Sequence, residues 1–397
     1  MPILLAVMSL FAVTAGCIPP GLPAAPSKDA DNGSPTDYGW FEGGKTWQGD
    51  FGDPHILRVE GTYYAYSSSA GGRYLSVLTS TDLKTWTIHK RWSNAAGPYV
   101  DGWQNGVPAQ LLAYSDSDWG HFDNNDALVK PASWGAAANV NVWVKKTYWA
   151  SSVFNIGSTW YAYAAVKVGS VSDDPHNYGR FCLTVASGTS PLGPFSDISG
   201  GQPIQCQSYA NDPAGSIDPY PYHDPSNGKD YLLWKAAGKI GSHESALMSV
   251  QLGSNGKPKP GAPWVKLLQT NRLSGWEGST IENPAMVNYH GTTYLFYSAN
   301  DSISDAEGHS NYATGYAICP DGPRAACYRP GYGLRPLMSS NGVSQGPGGA
   351  SPVVSPQGKM YLAYATYWLG ENRNGYHPRR LRIAGVVQNA DRSLRIG

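Results

Sequence analysis

Charge is scarce in this chain, and neither sign prevails. Only 15% of the 397 residues are Asp, Glu, Lys or Arg, and 29 basic residues face 29 acidic ones. A duplex-binding surface is normally basic, so this balance argues against nucleic acid as a partner. Cysteine is limited to five residues with no C-x-x-C pair, and the nine histidines show no ligand spacing; the usual metal signatures are therefore missing. No long amphipathic helix can be traced. The most continuous apolar run, residues 3–13, is far short of the roughly 20 residues a membrane-spanning helix needs. That run also lacks the Lys or Arg that normally precedes the apolar part of an export signal. Phenylalanine is sparse too, with 8 copies against 26 Tyr and 14 Trp.

What is abundant is punctuation. With 47 Gly and 30 Pro, the chain reads as many short strands joined by turns. Tyr and Trp carry a polar edge on an apolar ring and suit half-wet surfaces, sugar-binding faces among them. A Tyr-rich all-β core accounts for the same composition.

Despite its missing basic residue, the segment 1–16 reads best as an export signal. Thr14-Ala15-Gly16-Cys17 resembles a bacterial lipoprotein cleavage site, which makes Cys17 a candidate for lipidation and a membrane tether; ordinary secretion is the alternative. Residues 17–36, rich in Pro, Ala, Ser, Asp and Gly, read as a disordered linker. From 37 to 397 the texture is uniform, giving one domain, read as a monomer. In an oxidising compartment the four remaining cysteines pair, and sequence proximity suggests Cys182–Cys206 and Cys319–Cys327, one of three possible pairings.

One short pattern returns along the domain. Gly52-Asp53-Pro54 leads through a strand-like run to Gly61 and then Tyr63-Tyr64-Ala65-Tyr66-Ser67. Ile217-Asp218-Pro219 leads to Gly228 and Tyr231-Leu232-Leu233-Trp234, and Ile281-Glu282-Asn283-Pro284 leads to Gly291 and Tyr294-Leu295-Phe296-Tyr297-Ser298. Weaker copies begin at Trp149-Ala150 and at Ala350-Ser351. The aromatic strands start near 63, 160, 231, 294 and 361, at intervals of 97, 71, 63 and 67 residues. A four-stranded blade with its loops takes about 40 to 70 residues. The expected fold is therefore an all-β, five-bladed β-propeller, with an insertion near 95–145. Inner strands line the channel of a propeller, so Asp53, Asp218 and Glu282, at the heads of copies one, three and four, would ring one mouth from equivalent places. A β-sandwich is the alternative, but it gives no reason for an acid at a repeated position.

Taken singly, an Asp before Pro is a turn former. As an ordered set, Asp53-Pro54, Asp218-Pro219 and Glu282-Asn283-Pro284, with the Trp149-Ala150 and Gly346-Pro347-Gly348-Gly349 segments, resemble glycoside hydrolase family 43 across roughly residues 45–390. The resemblance implies a five-bladed propeller and an inverting glycosidase that acts on pentose-containing oligo- or polysaccharide. By position it makes Asp53 the general base, Glu282 the general acid and Asp218 the residue that tunes the acid and orients the sugar. It also implies an Arg near the acids, Arg379 in preference to Arg380. Trp149 and Trp119 are the candidate sugar-contacting aromatics. Many members carry a His after Gly-Pro-Gly beside a central metal, where this chain has Gly349; no required cofactor is expected, and a structural calcium stays open although its usual His is absent. The expected activity is α-L-arabinofuranosidase, secreted or anchored at the cell surface. β-Xylosidase and endo-arabinanase are the alternatives within the family, and a non-catalytic carbohydrate-binding propeller is the alternative outside it.

Overall fold

The computed structural model describes residues 51–68, 74–89, 127–136, 148–168, 180–208, 215–236, 238, 244–333, 335–342, 344–370 and 379–397, with short pairs at 103–104 and 107–108. The signal segment, the linker with Cys17, and Trp119 lie outside the described residues.

Five antiparallel-rich sheets follow one another along the chain. Blade one contains β1 (His55–Val59), β2 (Thr62–Tyr66), β3 (Val77–Ser80) and β4 (Thr87–Ile88). A small hairpin of β5 (Trp103–Gln104) and β6 (Val107–Pro108) falls in the long first interval. Blade two contains β7 (Leu128–Lys130), β8 (Tyr148–Ile156), β9 (Thr159–Lys167), β10 (Phe181–Gly188) and β11 (Phe195–Asp197). Its outermost strand β7 pairs parallel to β11, so the far end of the insertion adds a fifth strand to this blade. Blade three runs through β12 (Ser216–Asp224), β13 (Lys229–Ala236), β14 (Ala246–Gln251) and β15 (Val265–Gln269). Blade four has β16 (Ile281–Tyr289), β17 (Thr292–Ala299) and β18 (Ala313–Ile318), and blade five has β19 (Ser344–Val354), β20 (Met360–Trp368), β21 (Arg380–Gln388) and β22 (Leu394–Ile396).

The inner strands β1, β8, β12, β16 and β19 touch in that order and close back from β19 to β1. This is a five-bladed propeller. Its core is five wedges, one between each pair of neighbouring blades. Leu233, Leu247, Ile281 and Leu295 fill the wedge between blades three and four, and Tyr163, Leu183, Leu232 and Trp234 fill that between two and three. Full burial of each such side chain contributes roughly 1.5–3 kcal/mol. The ring closes where Phe51, fully buried, packs with Leu381 and Ile383 of blade five and donates its N–H to the Arg379 carbonyl at 2.7 Å.

Each inner strand carries one repeated irregularity. Pairing skips from Trp149 to Ser152, from Ile217 to Tyr220, from Glu282 to Ala285 and from Gly348 to Ser351, and in blade one it begins at His55. The first skipped residue has positive φ in every blade: Asp53 51°, Ala150 46°, Asp218 56°, Asn283 49° and Gly349 64°. Bulges of this kind re-aim a side chain away from the pleat, and Asp and Asn tolerate the left-handed region better than most residues. The three acids are consequently not equivalent, contrary to the expectation from the repeat. Asp53 and Asp218 occupy the bulge position, whereas blade four places Asn283 there. Glu282 stands one residue earlier, still paired with Ser298, and from that position its side chain reaches across to blade three.

Candidate active site

Asp53 is held by a rigid set of donors. Arg379 Nη1 donates to Oδ1 at 2.8 Å and Nη2 to Oδ2 at 3.1 Å, the two-pronged geometry that suits a guanidinium and a carboxylate. Ser68 donates its hydroxyl to Oδ2 at 2.6 Å while accepting the Ala150 N–H at 2.8 Å. Asn283 Nδ2 approaches Oδ1 at 3.5 Å. Burial pushes the Asp53 carboxyl upward, but the charge of Arg379 and these hydrogen bonds outweigh it, and the group lies below its ordinary value. Asp53 is an ionised carboxylate at any pH near neutrality.

Across the mouth, Glu282 and Asp218 form the opposite kind of environment. Lys235 on β13 donates to Glu282 Oε2 at 2.6 Å, with both side chains largely buried. Tyr312, on the loop between β17 and β18, lies with its hydroxyl 2.5 Å from Glu282 Oε1 and 2.6 Å from Asn283 Oδ1. Asp218 is 7% exposed and accepts the Asn283 N–H at 2.9 Å. Burial, then the charge of Glu282, pushes Asp218 up to about 8, with Lys235 opposing. One carboxylate of the trio is thus held ionised, while buried Asp218 lies where a proton is retained, a contrast of the kind acid–base catalysis needs. The Asn283 bulge joins them: its backbone bonds Asp218, its side chain faces Asp53, and Glu282 precedes it.

The loop that delivers Glu282 is itself clamped. Fully buried Glu277 receives Arg329 Nε at 2.6 Å, the Tyr297 hydroxyl at 2.8 Å and the Asn271 N–H at 2.7 Å. Arg329 follows the Cys319–Cys327 disulfide closely, and the Cys182–Cys206 bridge links blade two to its following loop.

Glycines of the blade-five segment make room for this site. A Cβ on Gly348 would collide with the Tyr312 ring, and one on Gly349 would stand 2.9 Å from Asp53 Cα. The usual histidine therefore has no space at 349. Below the acids the channel is lined by His55, Ser151, Ser152, Tyr220 and Ser351. Burial pushes His55 down to about 3, so the ring is neutral, and its Nδ1 accepts the Val153 N–H at 3.4 Å.

Of the further candidates, Arg379 meets Asp53, while Arg380 is a buried member of β21 paired with Thr366. Trp149 precedes the Ala150 bulge; it is 42% exposed and stacks on Phe181 with ring centroids 3.9 Å apart. Lys235, Tyr312, Ser68 and the side chain of Asn283 were not singled out by the sequence. Lys235 left one trace there, a Lys ending the otherwise apolar run Tyr231-Leu232-Leu233-Trp234. Tyr312 lies in a polar loop with no repeat partner and left none.

Comparison with known proteins fits this geometry. A family model described as Glycosyl hydrolases family 43 matches residues 110–392. No curated protein matches the chain by sequence. Among solved structures, a thermostable family-43 glycoside hydrolase shares 22% identity over 90% of this chain and 95% of its own, with a TM-score of 0.61. An endo-1,4-beta-xylanase from Bacteroides thetaiotaomicron shares 21% over 88% and 94%, with a TM-score of 0.57. An exo-1,5-alpha-L-arabinanase from a bovine ruminal metagenomic library shares 17% over 90% and 99%, with a TM-score of 0.54.

Proposed function

The chain belongs to glycosyl hydrolases family 43, and from that premise we propose that it hydrolyses pentosidic bonds in pentose-containing polysaccharide with inversion, α-L-arabinofuranosides being the preferred substrates. The observation that carries the catalytic reading is the contrast between Asp53, ionised under Arg379, and Glu282, set beside buried Asp218. In this reading Asp53 takes a proton from a water as that water attacks the anomeric carbon. Glu282 gives its proton to the departing glycosidic oxygen from the other face. Inverting carboxylates stand about 6.5 to 9.5 Å apart to admit the water. Asp218 tunes the acid, since two buried neighbouring carboxyls resist ionising together, and it offers a polar edge to the sugar. Trp149, exposed and already stacked on Phe181, supplies a flat wall for a ring.

The arabinofuranoside preference rests on the family. β-Xylosidase and endo-arabinanase are the second reading; a xylan beta-1,4-xylosidase and an endo-arabinanase are among the solved structures of the same fold. No step is assigned to a metal, because the residue at 349 is a glycine pressed against Asp53. Export of a monomer, with or without a lipid on Cys17, completes the proposal and is supported by the two disulfides.

The test is a panel of aryl glycosides and of arabinan, arabinoxylan, xylan and galactan, run with wild type and Glu282→Gln. Pentoside turnover that collapses in the variant supports the reading. Binding of oligosaccharides with no turnover of any of them replaces it with the non-catalytic one. Proton NMR of the first-formed sugar decides the stereochemistry, since a retained anomer contradicts the roles given to Asp53 and Glu282.

A further inference from the structure

The hydroxyl of Tyr312 has a proton-counting problem. Two pure acceptor oxygens lie within its hydrogen-bond reach, Glu282 Oε1 at 2.5 Å and Asn283 Oδ1 at 2.6 Å, while the Ser298 hydroxyl meets it as a third partner. An amide oxygen and a carboxylate oxygen are both acceptors, and a phenol has a single hydrogen to give. Tyr312 keeps that hydrogen, because burial alone pushes its hydroxyl well above the usual phenol range. The Asn283 amide has no freedom to turn and relieve the conflict. Its other end faces Asp53 Oδ1 at 3.5 Å, and Asp53 is a carboxylate already gripped by Arg379, so the nitrogen must point that way. Reversing the amide would set two oxygens against each other there and deprive the carboxylate of a donor.

We propose that Asn283 and Tyr312 form a hydrogen-bond wire from Asp53 to Glu282 that parks the transferable proton on Glu282 Oε1. The wire runs in one direction. Asn283 Nδ2–H donates to Asp53 Oδ1, Tyr312 Oη–H donates to Asn283 Oδ1, and Glu282 Oε1–H donates to Tyr312 Oη. The other oxygen of Glu282 is unavailable for the proton, since the Lys235 ammonium at 2.6 Å is a donor only. An ionised base and a neutral acid thereby become a single condition of the site. The leaving-group oxygen of the substrate would take over the place of Tyr312 as acceptor. Tyr312 and Asn283 are positioning residues in this scheme, acting through Glu282, and Gly348 is small because the Tyr312 ring lies against it.

The inference rests on Glu282 being the general acid. Among the described residues, the titratable groups facing this end of the site are Lys235 and Asp218 from blade three, Tyr312 from blade four, and Asp53 with its Arg379 from blades one and five. The experiment measures the alkaline limb of the kcat/KM profile for Tyr312→Phe and Asn283→Gly, using phenyl and 2,4-dinitrophenyl pentosides. Phenylalanine removes the acceptor of the Glu282 proton. Glycine tolerates the positive φ at 283 and frees the Tyr312 hydrogen to turn toward Glu282. Both changes disfavour the protonated acid, so the limb moves down by about one pH unit in each. The phenyl glycoside, which needs its oxygen protonated, slows at least tenfold more than the dinitrophenyl one. A limb that moves up in Tyr312→Phe, or stays in place, overturns the wire, because it means that Tyr312 donates to a carboxylate or does nothing. If Tyr312→Phe fails to fold by thermal unfolding, Asn283→Gly decides alone. Glu282→Gln separates the two levels: without its own leaving-group dependence, the acid assignment itself falls.

Discussion

Lys235 Nζ lies 2.6 Å from Glu282 Oε2, joining the second strand of blade three to the inner strand of blade four through two largely buried side chains. Glu282 reaches this cation only because it stands one residue ahead of the bulge that the other two acids occupy.

Removing that cation has a definite sign. Lys235 lowers the buried Asp218, which otherwise rises to about 8 through burial and the charge of Glu282. Lys235→Met therefore moves the alkaline limb of the kcat/KM profile to higher pH. It also lowers kcat, by about 10–100-fold, because the acid loses its orientation. A profile measured from pH 5 to 10 checks both parts.

Arg379 holds Asp53 from two sides, and Gly52 is the floor beneath it, where any Cβ would collide with the guanidinium. Arg379→Ala raises the Asp53 carboxyl, whose depression comes mainly from that charge acting against burial. The acid limb of the profile moves up and kcat falls by about 10²-fold or more. Gly52→Ala should reproduce much of the loss in kcat with a small change in Tm, since it displaces the arginine without deleting it.

Asp218 is a cost to the fold when ionised. Its folded value near 8 lies above the unfolded one, so the native state binds the extra proton and stability falls as pH rises from about 4 to 8. Asp218→Asn removes the penalty at a loss of activity. Its Tm should exceed that of wild type at pH 8, by an amount worth on the order of a few kcal/mol, and the gap should close toward pH 4. Calorimetry at several pH values reads this directly; an equal gap at all pH values would contradict it.

Trp149 is exposed over 42% of its surface and already stacked on Phe181. If it is a sugar wall, Trp149→Ala raises KM about tenfold with a smaller change in kcat, the mark of uniform binding. A change confined to Tm would show that the stack only packs the blade.

Much of this architecture was legible in the chain. The five aromatic hairpins beginning near Tyr63, Trp160, Tyr231, Tyr294 and Tyr361 are the second strands of the five blades, because alternation and turn glycines are local properties that pairing obeys. The Asp-Pro and Glu-Asn-Pro motifs marked the heads of three inner strands, but the bulge that sets Glu282 one residue apart from the two aspartates was not visible there. Arg379, 326 residues from Asp53 in sequence, was visible only through resemblance and meets it in space.

The sequence by itself determined the repeat, the strand periodicity and the residue types available at each blade head, since these depend on neighbours within a few positions. Tertiary structure alone decided which of them meet. Packing blade three on blade four brought Lys235 to Glu282, 47 residues away, and the loop of blade four brought Tyr312 to Glu282 and Asn283, 30 and 29 residues away, contacts that no local pattern encodes. It also decided protonation. Asp53 and Asp218 share a residue type and a bulge position, yet one is depressed by an arginine and the other raised by burial and a neighbouring charge, because electrostatics depends on what surrounds a group once the chain has folded.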